Sequence, residues 1–358
     1  MLLPLLRNAD VKEKTVFLRA DLDVPLVGGK IEDDTRLLSA IPTIEYLLKN
    51  NAKVIIAGHL GRPKPNSEFR IQNSEFSLKP VAHWFASKLE IRNWKLEIRN
   101  LNGFEGWEIV KNIFLLENLR FFEGEEKNDP EFAKKLALLA DIYVNDAFAM
   151  CHRDHASIAG ITKFLPHFTG FHLEKEITNL TKSLENPKRP LVVIVGGKKI
   201  ETKLPLVEKM HRIADYVLVG GKIAQESKEL IKEQHEKIKG QKAVLLIADS
   251  NSDKTDITEQ DAENFLQILS LAKTIVWNGS MGIIGGKSEN LKTEAGTKKI
   301  TEGILKTNAY TIVGGGDTVE YLNKLGVLDK FSFASTGGGA MLAFLSGEKL
   351  PGLKALRA

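Results

Sequence analysis

The segment Leu191-Val-Val-Ile-Val-Gly-Gly197 is the most informative part of this sequence, because it is a uniformly apolar run that ends directly in glycines. Runs of this kind suit strands that are buried on both faces of a parallel sheet. Similar runs recur through the second half of the chain at Tyr216–Val219, Ala243–Ile247, Thr274–Trp277, Tyr310–Val313 and Phe331–Phe333. A polar or glycine-rich turn and an amphipathic stretch come after them, which is the rhythm of βαβ units.

The first half shows the same rhythm. Its apolar runs are Thr15–Leu18, Lys53–Ala57, Ile113–Leu116 and Asp141–Val144. Between the first two runs, Thr35–Lys49 carries apolar residues at helical spacing. The chain has 358 residues, enough for two hydrophobic cores. We therefore predict an α/β protein of two domains, with βαβ units that form parallel sheets.

The two halves differ in the residue types that come after each predicted strand. Arginine, histidine, aspartate and asparagine come after the strands of the first half, whereas glycines come after those of the second. A boundary is expected near Pro166–Gly170, with a helical segment over Phe171–Leu184 after it. The predicted domains are residues 1–170 and 171–344, with ligands at the carboxyl ends of the strands, where open α/β sheets bind them.

Composition excludes several classes of protein. Lys and Arg number 50 against 46 Asp and Glu, and this net charge of +4 gives little reason to expect a nucleic-acid partner. The one cysteine, Cys151, excludes an intramolecular disulfide and favours a reducing compartment. No apolar stretch approaches the roughly 20 residues that cross a bilayer, and the N-terminus resembles neither a signal peptide nor an anchor. We expect a cytoplasmic protein with no nucleic-acid or membrane partner.

Glycine clusters mark the second half at Gly196-Gly197, Gly220-Gly221, Gly314–Gly316 and Gly337–Gly339. Glycine lets the backbone approach a phosphate and present its N–H groups, and a helix N-terminus adds favourable partial charge. Tight turns explain any one cluster, but several in one half favour a phosphate ligand. None matches the Walker A pattern or the dinucleotide fingerprint.

Charged residues beside these glycines fit phosphoryl transfer. Lys199 and Lys203 have an i, i+4 spacing that places both on one helix face if a helix begins there. Asp317 stands beside Thr318 after a glycine cluster, where an acidic residue is a natural ligand for Mg²⁺ on a nucleotide. The alternatives are a solvated basic face for the lysines and a helix N-cap for Asp317.

Basic and polar side chains come after the predicted strands of the first half. They include Arg19, Asp21, Asp23, Arg36, His59, Arg62, Asn118, Arg120, Asn145, Asp146, His152, Arg153 and His155. An arginine in almost every loop favours a small, multiply charged anion, because the planar guanidinium matches carboxylate and phosphate groups. Each arginine taken alone is more often part of a surface ion pair.

The sequence supports cysteine-based catalysis and zinc binding less well than phosphoryl transfer. Cys151 is adjacent to His152, but no third residue orients the pair, so a free structural thiol is the better interpretation. His152 and His155 are close in sequence, yet no Cys or Glu completes a zinc-binding spacing. Two tandem duplications are interpreted as surface insertions: Asn66–Phe69 repeated at Asn73–Phe76, and Leu89–Asn93 repeated at Leu96–Asn100.

These residues together resemble the phosphoglycerate kinase family from end to end of the chain. In the first half the matching motifs are Arg19-Ala-Asp-Leu-Asp-Val-Pro25, Asp33-Asp-Thr-Arg36, His59-Leu-Gly-Arg-Pro63, Leu115-Leu-Glu-Asn-Leu-Arg-Phe121, Tyr143–Phe148 and His152–Ser157. In the second half they are Gly196-Gly-Lys-Lys199 with Lys203, Trp277-Asn-Gly279, Gly314-Gly-Gly-Asp-Thr318, Ser335–Ala340 and Leu350–Leu353. So many motifs in the family's order make the match specific.

The resemblance implies a monomer of two Rossmann-like αβα domains, each built on a parallel sheet and joined by a hinge, with the segment 345–358 packing back onto the first domain. It implies reversible, Mg²⁺-dependent transfer of a phosphoryl group between 1,3-bisphosphoglycerate and ADP, giving 3-phosphoglycerate and ATP. The residues that would hold phosphoglycerate are Asp21, Asp23, Arg36, His59, Arg62, Arg120 and Arg153. Those that would hold the Mg-nucleotide are Gly197, Lys199, Lys203, Gly220, Gly221, Asn278, Gly316, Asp317 and Thr318, with Asp317 on the metal. The groups that would stabilise the moving phosphoryl group are Arg36, Lys199, Lys203 and the glycines Gly316, Gly338 and Gly339.

Some positions depart from the family pattern. Asp23 stands where asparagine is usual, and its charge would repel a bound anion. Ile284-Gly285-Gly286 stands where the family has a ribose-binding glutamate, and Glu289 is the candidate replacement. Lys198 replaces an alanine near the nucleotide, and Phe333 replaces a histidine.

Two other functions stay open at this point. A nicotinamide-dependent oxidoreductase shares doubly wound sheets, but its glycine fingerprint and ribose carboxylate are absent from the sequence. A catalytically impaired anion-binding protein would keep the fold, and the departures at Asp23 and Gly285 favour it. The retained lysines, Asp317 and Arg36 favour the kinase.

Overall fold

The protein forms two compact units in the computed structural model, which describes residues 3–64, 75–89, 96–198, 200–224, 227–228, 243–285 and 293–357. The first unit is Met1–Glu176 together with Lys349–Ala358, and the second is Ile177–Glu348. The domain limits expected from the sequence, 170/171 and 344/345, differ from these limits by a few residues. Among the described residues, no helix is long and apolar enough to cross a membrane.

The first unit contains one large sheet. Its strands are β1 (Thr15–Arg19), β4 (Lys53–Ala57), β5 (Glu97–Leu101), β6 (Phe104–Val110), β7 (Ile113–Leu116), β8 (Ile142–Asn145) and β9 (His167–Thr169). These seven strands run in the order β5-β6-β7-β4-β1-β8-β9. Pairing is parallel from β7 to β9, whereas β5, β6 and β7 pair antiparallel. A separate antiparallel pair is formed by β2 (Leu26–Val27) and β3 (Lys30–Ile31).

Helices and short helical turns cover this sheet. The helices are α1 (Thr35–Lys49), α2 (Lys79–Lys88), α3 (Glu123–Glu126), α4 (Pro130–Ala137) and α5 (Phe171–Glu185), which continues into the second unit. The short turns are Leu6–Asn8, Leu119–Phe121, Phe148–Met150, Ala156–Gly160 and Ile161–Lys163. In α1 the buried residues include Leu37, Ala40, Ile44 and Leu47, and this spacing of three or four residues turns one face towards the core.

The second unit contains a fully parallel sheet. Its strands are β10 (Leu191–Val195), β11 (Tyr216–Val219), β12 (Val244–Ile247), β13 (Thr274–Asn278), β14 (Tyr310–Gly314) and β15 (Phe333–Ala334), in the order β12-β11-β10-β13-β14-β15. Its helices are α6 (Ile200–Ile213), α7 (Glu259–Leu271), α8 (Ala295–Leu305), α9 (Gly316–Lys324) and α10 (Gly339–Ser346), with a short turn at Leu328–Lys330. Every residue of β10 and β13 is buried, which confirms that the uniformly apolar runs form central strands.

The C-terminal helix α11 (Pro351–Ala355) belongs to the first unit. The backbone N–H of Gly352 donates to the carbonyl of Cys151 at 2.9 Å. A Cβ atom at position 352 would lie 2.8 Å from a methyl carbon of Ile158 and 3.0 Å from the Cα of Cys151. Glycine is therefore required for this close approach.

One edge of the first sheet differs from the prediction. Its strands pair antiparallel, whereas a parallel sheet is predicted. Leu96–Asn100, expected to be part of a surface insertion, lies largely in the edge strand β5, while most of the remaining duplicated residues fall outside the described ranges. The side chains of β5 are mostly exposed, so no apolar run marks this strand. Its turn does carry a signal, since Asn102-Gly103, with both φ angles positive, is a typical hairpin sequence.

Candidate active site

The register of the strands places the polar loops of the first unit together at one edge of its sheet. Arg19 at the end of β1 aligns with Ala57 at the end of β4 and with Asn145 at the end of β8. The residues in the loops after these strands are Asp21, Asp23, His59, Arg62 and Arg153, while Arg36 comes from α1 and Arg120 from the turn after β7. Contacts among these side chains and loops determine which of them face an anion in solution.

Asp23 links two of the predicted ligands. Its Oδ1 accepts a hydrogen bond from the backbone N–H of Gly61 at 2.8 Å. Its Oδ2 lies 3.6 Å from Nη1 of Arg36 and 3.7 Å from Nε2 of His59. Arg36 Nη1 also donates to the backbone carbonyl of Asp23 at 2.5 Å. The carboxylate thus lies between Arg36 and His59, two side chains that could otherwise both bind an anion.

Gly61 is held in place by its neighbours. Its φ of +62° lies in the left-handed region, and a Cβ atom there would overlap the Phe76 ring. The carbonyl of Gly61 accepts from Nη1 of Arg120 at 2.7 Å, and Nε of Arg120 lies 2.9 Å from Oε1 of Glu126. This loop therefore fixes both the Asp23 carboxylate and the Arg120 guanidinium.

Arg62 and Arg153 have a different environment. Both residues are exposed. Among the described residues, neither side chain has an ion pair or a hydrogen-bond partner. Within the described part of the chain, both guanidinium groups are thus open to an anion in solution.

Asp21 is buried in the loop after β1. Its Oδ2 accepts from the backbone N–H of Ala149 at 3.0 Å. Burial raises the pKa of Asp21, and the nearby Arg36 opposes this shift. Its observed contact ties the loop after β1 to the loop after β8.

The histidines of this edge are neutral at physiological pH. Burial holds the pKa of His59 well below its ordinary value, and the charges of Arg19, Arg120 and Arg36 act in the same direction. Burial lowers the pKa of His155 to about 3, and it also lowers that of His152. No group of three His, Cys, Asp or Glu side chains within the described ranges is placed to hold a metal ion.

Cys151 has the environment of a structural thiol. It is fully buried, and its Sγ donates to the carbonyl of Ala147 at 3.5 Å. Burial raises the pKa of the thiol, so the nucleophilic thiolate is not populated.

In the second unit, Lys203 projects from α6 to the carboxyl ends of the central strands. It is buried, and its Nζ donates to the carbonyl of Gly196 and lies 3.4 Å from the carbonyl of Asn278. A Cβ atom at Gly279 would overlap the backbone carbonyl of Gly196 as well as this ammonium group, so only glycine fits there. A solvated basic face is therefore the wrong description of Lys203. Lys199 lies outside the described residues, as does Glu289.

Unsatisfied oxygen atoms lie in the same region. Asn278 Oδ1 and Thr318 Oγ1 are buried and have no hydrogen-bond partner among the described residues. Asp317 is exposed, and its carboxylate has no described partner either. Helix α9 begins at Gly316 with Gly315 as its N-cap, so the alternative that Asp317 is the N-cap is wrong. Carboxylate and hydroxyl oxygens beside a helix N-terminus suit a magnesium-bound phosphate, and these residues fit that group.

The glycine clusters are not equivalent. A Cβ atom at Gly316 or at Gly338, the N-cap of α10, would meet open space, so packing leaves room beside both backbones. A Cβ atom at Gly220 would instead lie 2.6 Å from Met281 Sδ, and one at Gly221 would lie 2.7 Å from the backbone nitrogen of Gly197. Packing alone accounts for glycine at 220 and 221, whereas it does not account for Gly316.

Some organising residues gave no usable signal in the sequence. Glu125 lies in an acidic run typical of a solvated helix, yet it is buried and accepts hydrogen bonds from the backbone N–H and the Oγ of Ser157. Asn118 is one of the polar residues that the sequence predicts at the ligand edge. Its side-chain amide instead donates to the carbonyls of Leu60 and Phe76 at 2.7 and 3.0 Å. It therefore anchors the loop that carries His59 and Arg62.

Comparison with known proteins gives one consistent result. The family model for phosphoglycerate kinase matches residues 6–235 and 226–348. A relative from Arabidopsis thaliana, "Phosphoglycerate kinase 3, cytosolic", is 39% identical over an alignment covering 98% of this chain and 97% of that protein. "Phosphoglycerate kinase 1, chloroplastic", from the same plant, is 40% identical over 98% of this chain and 81% of that protein. The solved structure of phosphoglycerate kinase from Coxiella burnetii matches with a TM-score of 0.80 and 33% identity, and the match covers 99% of each chain.

Proposed function

The chain belongs to the phosphoglycerate kinase family, and from this premise we propose which of its residues perform the reaction. The reaction is reversible phosphoryl transfer between 1,3-bisphosphoglycerate and ADP, which gives 3-phosphoglycerate and ATP in glycolysis. The protein is a phosphotransferase whose acceptor is a carboxyl group.

The phosphoglycerate anion binds at the polar edge of the first unit in this proposal. The observation that carries it is the exposure of Arg62 and Arg153, whose guanidinium groups have no partner among the described residues. They would take the phosphate, since arginine binds such oxygens through paired hydrogen bonds. Arg36, Arg120 and His59 would complete the site, and Asp23 would accept from the substrate hydroxyl. Asp21 would belong to the same site, and its hydrogen bond from the Ala149 N–H holds the loop that carries it.

The nucleotide binds at the carboxyl ends of β10, β13 and β14. Support comes from the buried oxygens of Asn278 and Thr318 and the exposed carboxylate of Asp317, which have no hydrogen-bond partner among the described residues, and from the open space at Gly316. Gly197, Gly220 and Gly221 belong to this proposed site as well. Asp317 would hold Mg²⁺, whose chemistry when bound is to neutralise charge on the nucleotide phosphates.

Charge neutralisation and positioning are the proposed sources of catalysis. Phosphoryl transfer requires little covalent help from a protein, and its transition state spreads negative charge over the equatorial oxygens. Neutral histidines and an inert thiol agree with that requirement. The groups proposed to stabilise the moving phosphoryl group are Arg36, Lys199, Lys203 and the backbone amides of Gly316, Gly338 and Gly339.

We propose Mg²⁺ as the cofactor, a monomer as the working form, and the cytoplasm as its location. The cytosolic relative supports the location, although the chloroplastic relative matches equally well.

The site is tested by a coupled assay with 3-phosphoglycerate, ATP and Mg²⁺ that monitors NADH oxidation. The wild type should turn over, and Lys203→Ala and EDTA should each abolish turnover, because the ammonium group and the metal neutralise charge on the phosphates. Lys209→Ala is the matched control, since Lys209 is an exposed lysine on the same helix. A folded wild type without turnover on ATP or GTP would show that the proposed sites do not support the reaction. An active Lys203→Ala variant would remove Lys203 from the catalytic groups.

A further inference from the structure

Arg19 differs from the other arginines of the first unit because its side chain is fully buried. Each of its three guanidinium nitrogens has a protein partner. Nε donates to Ser157 Oγ at 2.9 Å, and Nη1 donates to the carbonyl of Ala20 at 2.5 Å. Nη2 lies 3.3 Å from Nδ1 of His59. Arg19 is therefore not placed to touch a bound anion, although its position in the sequence resembles that of the exposed arginines.

Glu125 is the buried carboxylate nearest in this network to the charge of Arg19: burial raises the pKa of Glu125, and the Arg19 charge opposes this shift. This carboxylate is also buried, and its Oε1 accepts from Ser157 Oγ at 2.5 Å while its Oε2 accepts from the Ser157 backbone N–H at 3.0 Å. The directions of these bonds agree with one another, because the Ser157 hydroxyl accepts from Arg19 and donates to Glu125. A buried guanidinium ion needs such a counter-charge, and Ser157 connects the two.

This chain of hydrogen bonds also determines the proton position on His59. A guanidinium group can only donate, so Nδ1 of His59 must accept and the ring proton must be on Nε2. That Nε2 lies 3.7 Å from Oδ2 of Asp23, on the side of the ring away from Arg19. The charged and titratable groups facing His59 are Arg19, Arg36, Arg120, His155 and Asp23.

We propose that Arg19, Ser157 and Glu125 form a buried relay that fixes His59 as its neutral Nε2–H tautomer. His59 is then a hydrogen-bond donor to the phosphoglycerate anion, and Arg19 is a positioning residue. The opposite tautomer would turn a nitrogen lone pair towards that anion and would weaken binding. The proposal rests on the proposed function for the identity of the anion, but not for the tautomer.

The first test needs no substrate. Long-range ¹H–¹⁵N spectra of the full chain, labelled at histidine nitrogens, report the tautomer of each ring, and His59→Gln assigns the His59 signals. The expected spectrum shows protonated Nε2 and unprotonated Nδ1 without change from pH 5 to pH 8. An Nδ1–H tautomer, an even mixture, or titration near the ordinary value of about 6.5 would overturn the proposal. Because this measurement omits substrate, it also separates the proposal from the kinase activity.

The second test breaks the relay. The double variant Arg19→Met with Glu125→Gln removes both buried charges together, so no uncompensated ion is left inside the protein. We expect mixed His59 tautomers and a rise of about tenfold in the KM for 3-phosphoglycerate, the loss that corresponds to one charge-assisted hydrogen bond. We expect kcat to change by less than about threefold, because His59 binds the ground state and the transition state alike.

A single substitution provides a second test in case the double variant does not fold. Ser157→Ala removes the connecting hydroxyl and should shift the His59 spectrum and the KM in the same direction, whereas Ser157→Thr should restore both. Ser183→Ala is the matched control, because Ser183 is a buried serine whose hydroxyl donates to the carbonyl of Leu180. An unchanged His59 spectrum with an unchanged KM in Ser157→Ala would show that the relay does not position His59.

Discussion

Replacing Asp23 with asparagine should strengthen binding of 3-phosphoglycerate. The carboxylate Oδ2 lies 3.6 Å from Nη1 of Arg36, and the two side chains are 39% and 30% exposed. In this position the carboxylate competes with the substrate for Arg36 and repels the substrate's own charge. Asparagine keeps an oxygen that can accept from the Gly61 N–H, so the loop should retain its conformation.

The size of the gain can be worked out from the geometry. At 3.6 Å Coulomb's law gives about 1 kcal/mol at the dielectric constant of water and about 5 kcal/mol at an effective dielectric constant of 20. Partly exposed pairs measured by double-mutant cycles contribute about 0.2–1 kcal/mol, so the lower value applies here. A gain of about 1 kcal/mol is roughly a fivefold decrease in the dissociation constant.

The assay is the KM for 3-phosphoglycerate at low salt and at high salt, with the dissociation constant from calorimetry beside it. The fivefold gain of Asp23→Asn should shrink as salt screens the interaction. Asp10→Asn is the control, since Asp10 is an exposed carboxylate outside the set of predicted ligands. An unchanged or higher KM in Asp23→Asn would refute this reasoning and would show that the charged carboxylate itself holds the substrate.

Three further predictions concern turnover and stability. Arg36→Ala should lower kcat on the order of 10³, as for other arginines that stabilise this transition state, and a loss below tenfold in the coupled assay would remove Arg36 from catalysis. Gly352→Ala should lower the free energy of unfolding by about 1–3 kcal/mol, because the new Cβ would lie 2.8 Å from Ile158; an unchanged urea midpoint would contradict the observed packing. Burial raises the pKa of Asp146 from 3.8 to about 7, so this group contributes stability below pH 4 that is lost as the pH rises to about 7. The free energy of unfolding of Asp146→Asn, relative to that of the wild type, should therefore rise by up to about 1.4 kcal/mol per pH unit over that interval. A difference in urea midpoint between the two proteins that is the same at pH 5 and at pH 8 would disprove the shift.

Much of the fold could be predicted because burial constrains the sequence of each central parallel strand. A strand buried on both faces must be apolar at every position, and Leu191–Val195 satisfies this without any knowledge of its neighbours. The helix Thr35–Lys49 was predicted with its observed limits, since its core residues repeat every three or four positions. The edge strand Glu97–Leu101 was missed because solvent imposes no such constraint on its side chains.

The order of residues along the chain establishes which residue types come after which strands, and hence that one half offers cations and the other offers glycines. What each of these residues does depends on contacts between distant parts of the chain. Arg19 and Arg62 both come after apolar strands, yet the first is enclosed by Ser157 and His59 while the second is exposed. The burial and the hydrogen-bond partners of a side chain depend on residues far apart in the chain, such as Arg19 and Ser157. A local sequence pattern does not show that two such residues are close in space.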